Sequence, residues 1–141
     1  MDQPFGDAIR LKGWEVDSAS VHTGKPFTLA LYWQAGPDAP PPDNATVFVH
    51  LLDKDETVVV GRDNPPCRGT CPTSTWRPGE VIRDEYTLDV PAGLPPGEYR
   101  IEIGMYDPQT LVRLPVQNHG DRLILARYTC QATGCVVGGE G

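Results

Sequence analysis

The side chains that could do chemistry in this 141-residue chain are few and scattered. His22, His50 and His119 have no second ligand at metal-binding spacing. His50 falls inside an apolar run, where a packed or hydrogen-bonded ring is the expected role. Ser74 lacks the Gly-x-Ser-x-Gly elbow of a nucleophilic serine and has no base at a readable spacing, so a loop hydroxyl that caps a turn is expected. Asp53, Asp55 and Asp63 could gather round a calcium ion, but the run lacks the glycine and distal glutamate of an EF-hand loop. Asp84 and Glu85 are neighbours in a strand and point to opposite faces, which spoils them as a glycosidase acid pair. Asn44-Ala45-Thr46 fits the glycosylation triplet, which is common by chance. No catalytic residue, metal ligand or cofactor is expected.

Two further sets remain. Cys67 and Cys71 bracket three residues, and Cys130 and Cys135 bracket four, in Gly- or Thr-rich segments. Disulfides in an oxidising compartment are the leading expectation, with local or crossed pairing open. A four-cysteine zinc site or free buried thiols are the alternatives, although structural zinc more often uses a two-residue spacing. Among the aromatics, Trp33 belongs to an apolar stripe and is expected in the core. Trp76 at a loop-to-strand corner, Trp14, Tyr32 and Tyr106 are the candidate ligand-binding residues, because a ring can stack on a sugar face. The competing role for Trp76 is to fold back over a sheet edge with its N–H on a carbonyl.

The elements that must position these residues are strands. Fifteen Gly and fifteen Pro lie between apolar runs, as in a domain of many short strands. Pro78-Gly79 and Pro96-Gly97 read as type II turns, each feeding an alternating run, Val81 to Val90 and Tyr99 to Tyr106. The first run sends Ile82, Tyr86, Leu88 and Val90 inward, and the second Tyr99, Ile101, Ile103 and Met105. Ala8 to Val16 is a strand with a bulge at Gly13, where an edge strand could pass between sheets. Phe27, Leu29, Leu31 and Trp33 alternate strictly, and Gly36 to Asp43 is a proline-rich connection. Val47 to Leu52 suits a central strand, Thr57 to Gly61 its hairpin partner, and Arg122 to Tyr128 closes the sheet. Tyr99, after Leu94-Pro95-Pro96-Gly97, has the form of a tyrosine corner. The expected fold is all-β, an antiparallel immunoglobulin/fibronectin-III-like β-sandwich of about seven strands. It spans 1–128, and 129–141 is a Cys/Gly-rich tail, weakly held unless bridged.

A net charge of −7 argues against a nucleic-acid partner and against an anionic membrane surface. No apolar run approaches the roughly 18 residues of a membrane span, so this chain is not expected to insert. The start, Met1-Asp2-Gln3-Pro4, is unlike a signal peptide, leaving a cytoplasmic chain or a piece of a longer exported protein.

Several segments, taken together, resemble the C-terminal β-sandwich domain of protein-mannosyltransferase-like membrane glycosyltransferases of Chloroflexi-like bacteria. They are Phe5-Gly6-Asp7-x-Ile9-x-Leu11, Leu29-x-Leu31-Tyr32-Trp33-Gln34-Ala35, Val47 to Asp53, Pro72-Thr73-Ser74-x-Trp76-x-Pro78-Gly79-Glu80, Leu94-Pro95-Pro96-Gly97-x-Tyr99 and Gly104-x-Tyr106-Asp107-Pro108. The resemblance covers about residues 5–128, and the four cysteines depart from the pattern. It implies an extracytoplasmic, non-catalytic module at the cell surface, associated with an envelope glycosyltransferase and contacting glycan or an envelope protein. The alternative is a structural subunit that forms a homo-oligomer in a surface layer, filament or shell.

Overall fold

The computed structural model describes residues 1–16, 20–36, 44–131 and 134–140, so the proline-rich connection expected after Gly36 lies outside the described residues. One antiparallel sheet has the order β1 (Gln3–Phe5), β2 (Ile9–Val16), β4 (Pro26–Ala35) and β7 (Val81–Asp89). The other has the order β3 (Ser20–Val21), β10 (Gly134–Glu140), β9 (Leu123–Gln131), β8 (Gly97–Tyr106), β5 (Thr46–Leu52) and β6 (Val58–Asn64). The order β2-β4-β7 against β9-β8-β5 is that of strands A-B-E against G-F-C in an immunoglobulin-type sandwich.

The core follows from period-2 alternation. Phe27, Leu29, Leu31 and Trp33 of β4 are buried against Val47, Val49 and Leu51 of β5 and Ile101, Ile103 and Met105 of β8. Trp33 meets the Phe5 ring edge-on, with centroids 5.0 Å apart. All seven expected strands are present. The additions, β1, β3 and β10, are too short or too glycine-rich to carry an apolar alternation. β10 also changes the expected sheet edge: β9 does not close the sheet, because β10 pairs along it and β3 pairs with β10. The cysteine-containing tail is thus bridged, with Cys130 and Cys135 directly opposed and disulfide-bonded. The bulge at Gly13 shifts the register between Leu11 and Gly13, but β2 stays on β4 through Val16. The strand therefore does not cross at the bulge, and the chain first reaches the other sheet after β2, with β3.

The two Pro-Gly stretches differ. Gly79 has φ +79° and the Glu80 amide donates to the Arg77 carbonyl at 3.0 Å, as a type II turn requires. Gly97 instead has φ +149°, and the Pro95 carbonyl accepts the Tyr99 hydroxyl at 2.5 Å. The expected second turn gives way to the tyrosine corner itself, which fixes β8 where it enters the sheet. Tyr99→Phe is expected to lower unfolding free energy by about 1 kcal/mol, the net worth of one such bond, in urea denaturation.

Between β8 and β9 the chain ties the sheets together. Asp107 to Val112 is a turn closed by an Asp107 amide to Val112 carbonyl bond of 2.9 Å. Arg113 then pairs with Tyr106, Val116 pairs with Phe5, and the Gly6 amide donates to Pro115 at 2.7 Å. This connection lays Arg113 and Leu111 over the outer face of the six-stranded sheet.

Candidate functional site: a cleft on the outer face of the six-stranded sheet

The four candidate aromatics do not form one surface. Trp76 is 1% exposed, and its indole N–H donates to the Cys71 carbonyl at 2.9 Å, so it offers no face for stacking and covers the core beneath the Cys67–Cys71 loop. Trp14 packs against the core, because the bulge at Gly13 turns it inward. Tyr32 lies on the outer face of the four-stranded sheet, where its hydroxyl donates to Glu15 at 2.6 Å and accepts from Arg83 at 3.1 Å. Tyr106 lies on the opposite side of the sandwich and is the one that lines a structured cleft.

That cleft arises from an unusual outer face. The apolar character of β5 on both sides puts Phe48 outward, yet it is buried. The Arg113 guanidinium lies 4.4 Å from its ring centroid, a cation–π contact, and Tyr106 stacks beside it at 6.4 Å. Two glycines on neighbouring strands admit these rings. A Cβ at Gly104 would stand 2.2 Å from Phe48 Cζ, and one at Gly61 would stand 2.7 Å from His50 Cδ2. The result is a cleft of about 230 Å³ lined by Phe48, His50, Asp63, Tyr106, Leu111 and Arg113. A larger hollow of about 340 Å³ on the other sheet is lined by Glu15, Val16, Thr28, Ala30, Arg83 and Glu85 and has no aromatic plate in its wall.

Hydrogen bonds hold the cleft's polar groups in place. His50 bonds through Nδ1 to Glu102 Oε2 at 2.9 Å and through Nε2 to Asp63 Oδ1 at 3.0 Å. Asp63 Oδ2 also accepts the Tyr106 hydroxyl at 3.1 Å. Behind the ring, Glu102 is 4% exposed and accepts from Arg122 at 3.0 Å; Arg122 in turn pairs with Glu56. With both ring nitrogens on carboxylates, His50 is best satisfied as the imidazolium and has no lone pair to act as a base. The calcium set does not assemble: Asp53 Oδ1 accepts the amides of Asp55 and Thr57, both at 2.9 Å, in the β5–β6 hairpin, while Asp63 serves the cleft. Among the described residues no His, Cys, Asp and Glu group is placed to hold a metal ion.

The pair gives the stability a pH signature. The Glu102 bond raises the His50 pKa above its ordinary value, against burial, and Asp63 adds to the rise. Burial pushes the Glu102 carboxyl up, but the bonds from His50 and Arg122 outweigh it and hold it below the usual range. His50 therefore stabilises fully below about pH 6.5, and that contribution is lost as pH rises through its folded-state value. Glu102 stabilises fully above about pH 4.3 and loses its contribution as pH falls through its own folded value. The melting-temperature difference between wild type and His50→Gln is expected to be greatest between these limits and to shrink on either side. Thermal melts from pH 3 to 9 check it.

Two local disulfides are present, Cys67–Cys71 and Cys130–Cys135, and they fit an oxidising, extracytoplasmic setting. Cys67 and Arg68 adopt φ of +56° and +57°, a region unfavourable to side chains. Besides the disulfide, the loop is anchored by Asp84, which is 1% exposed. Its Oδ1 accepts the Cys67 amide at 2.8 Å, and its Oδ2 accepts the Tyr86 hydroxyl at 2.7 Å and the Trp33 indole N–H at 3.2 Å. Burial pushes its carboxyl above the usual range despite these three donors. A carboxylate on the inward parity of the Val81–Val90 run was the readable signal of this buried anchor.

No helix among the described residues is long and apolar enough to cross a membrane. In comparisons with known proteins, no family model matches the chain and no curated protein matches it.

Proposed function

We propose that this domain is a non-catalytic, extracytoplasmic module that binds glycan in the cleft formed by Tyr106, His50, Asp63 and Arg113. The observation that carries the reading is the convergence of an aromatic plate with fixed donors and acceptors in one open hollow. Carbohydrate recognition needs that combination, because a sugar ring presents both an apolar C–H face and hydroxyls that donate and accept. Asp63 keeps acceptor capacity after bonding His50 and Tyr106, and the Tyr106 oxygen can still accept. Arg113 has one bond, 3.4 Å to Asp121, and carries further N–H donors. The two disulfides support placement outside the cytoplasm.

Affinity electrophoresis through gels containing polysaccharide tests the reading. Wild type is expected to be retarded, and Tyr106→Ala to lose at least about fivefold in affinity, with the roughly 1–3 kcal/mol of a base stacked on an aromatic ring as the guide to a sugar on one. Migration unchanged by any polysaccharide would refute it.

The resemblance of its motifs to glycosyltransferase sandwich domains supports a role beside an envelope glycosyltransferase. A second reading, self-assembly, is favoured by Val81, which is exposed on the edge strand β7. Sedimentation that shifts to larger species with concentration, in protein that no saccharide retards, would favour it.

A further inference from the structure

We infer, resting on the glycan reading, that the cleft is specific for one uncharged sugar ring at a time and discriminates against acidic and amino sugars. The inference comes from the charge inventory of the cleft and its surround. The cations are His50, Arg100, Arg113 and Arg122, and the anions are Glu56, Asp63, Glu102 and Asp121. Each stands within an ion pair: His50 with Asp63 and Glu102, Arg122 with Glu102 and Glu56, Arg100 with Glu56, and Arg113 with Asp121. Four positive groups therefore face four negative ones, and a charged ligand would have to break one of these pairs to be neutralised. A uronate or sialate would have to win Arg113 from Asp121, while Asp63, its two oxygens held by His50 and Tyr106, stays close by to repel it. An amino sugar would have to compete with His50 for Asp63, with Arg113 close by to repel it. A neutral sugar leaves the ion pairs intact, its hydroxyls donating to Asp63 and Tyr106 and accepting from Arg113.

Size sets the second half of the inference. At about 230 Å³ the cleft is smaller than the roughly 300–1,000 Å³ of pockets that enclose drug-sized molecules. It is closed below by Phe48 over Gly104 and bounded by Leu111, which is 70% exposed at the turn tip. One ring fills that space, with any remaining chain outside it.

Isothermal titration of the intact domain with a neutral monosaccharide, its tetrasaccharide, a uronic acid oligomer and a chitosan oligomer decides the matter. Mono- and tetrasaccharide are expected to bind within about threefold of each other per ligand end, and the charged oligomers at least about tenfold more weakly. Raising sodium chloride from 50 to 500 mM is expected to change neutral-sugar affinity less than about twofold, because no net charge is screened. Preference for the uronate or the chitosan, or a steep salt dependence, would overturn the specificity and leave glycan binding standing. Affinity growing with chain length would overturn the single-ring limit. Binding of none of the four would remove the glycan reading and this inference with it. Tyr106→Phe and Asp63→Asn, which keep the shape of the site, separate loss of recognition from loss of fold; unchanged neutral-sugar affinity in both would contradict the site.

Discussion

Replacing Asp84 with alanine is expected to lower the unfolding free energy by about 3 kcal/mol, in a change confined to no ligand contact. The carboxylate is the shared acceptor of the Trp33 indole, the Tyr86 hydroxyl and the Cys67 amide. Truncation would leave buried donors unpaired and release the loop whose Cys67 and Arg68 sit at positive φ. Asp84→Asn is expected to be milder, about 1–2 kcal/mol, for a specific reason. One oxygen can still serve Trp33 and Tyr86, but the new amide N–H₂ faces the Cys67 N–H. The pH dependence differs as well. Because burial raises the Asp84 pKa, its ionisation is costly in the folded state: the favourable protonated form contributes below about pH 3.9 and that contribution is lost as pH rises through the raised value. Asp84→Asn removes this limb. Urea denaturation across pH measures both effects, and an alanine variant as stable as wild type would contradict the anchor.

Gly104→Ala is expected to cost about 1–3 kcal/mol and, unlike the Asp84 variants, to abolish the cleft. Gly104 has ordinary backbone dihedrals, so conformational freedom is not the reason; space is. The added methyl would lie 2.2 and 2.4 Å from Phe48 Cζ and Cε2 and 3.2 Å from the Asp121 carbonyl. Phe48 would have to leave its place beneath Arg113 and beside Tyr106, displacing the two side chains offered to ligand. Denaturation together with saccharide titration reads both consequences. Full stability with full binding would show that the ring has room to yield and that the cleft does not depend on this packing.

The strands were legible because burial imposes period 2 on the long ones: the Phe27-Leu29-Leu31-Trp33 stripe and the inward set of β8 lie where alternation puts them. Tyr99 was legible through its upstream Leu-x-Pro-Gly, since the corner is a local bond. The cleft was not. His50, Asp63, Glu102 and Tyr106 are distant in sequence and meet only through the register of β5 with β6 and β8, which opposes His50 to Gly61 and to Glu102. Of the aromatics, exposure was the deciding property, and it depends on neighbours: Trp76 is covered and Trp14 turned inward, while Tyr106 stays accessible. β10 escaped notice because glycines carry no hydrophobic signal, although its pairing and the Cys130–Cys135 bond hold it.

The most direct measurement is an amide and side-chain chemical-shift map of the labelled domain titrated with a neutral saccharide. Saturable shifts are expected at Tyr106, Asp63, His50, Leu111 and Arg113, with Tyr32 and Arg83 on the opposite sheet unmoved. Shifts centred on Tyr32, or none at saturating sugar, would contradict the assignment of the outer-face cleft as the binding site.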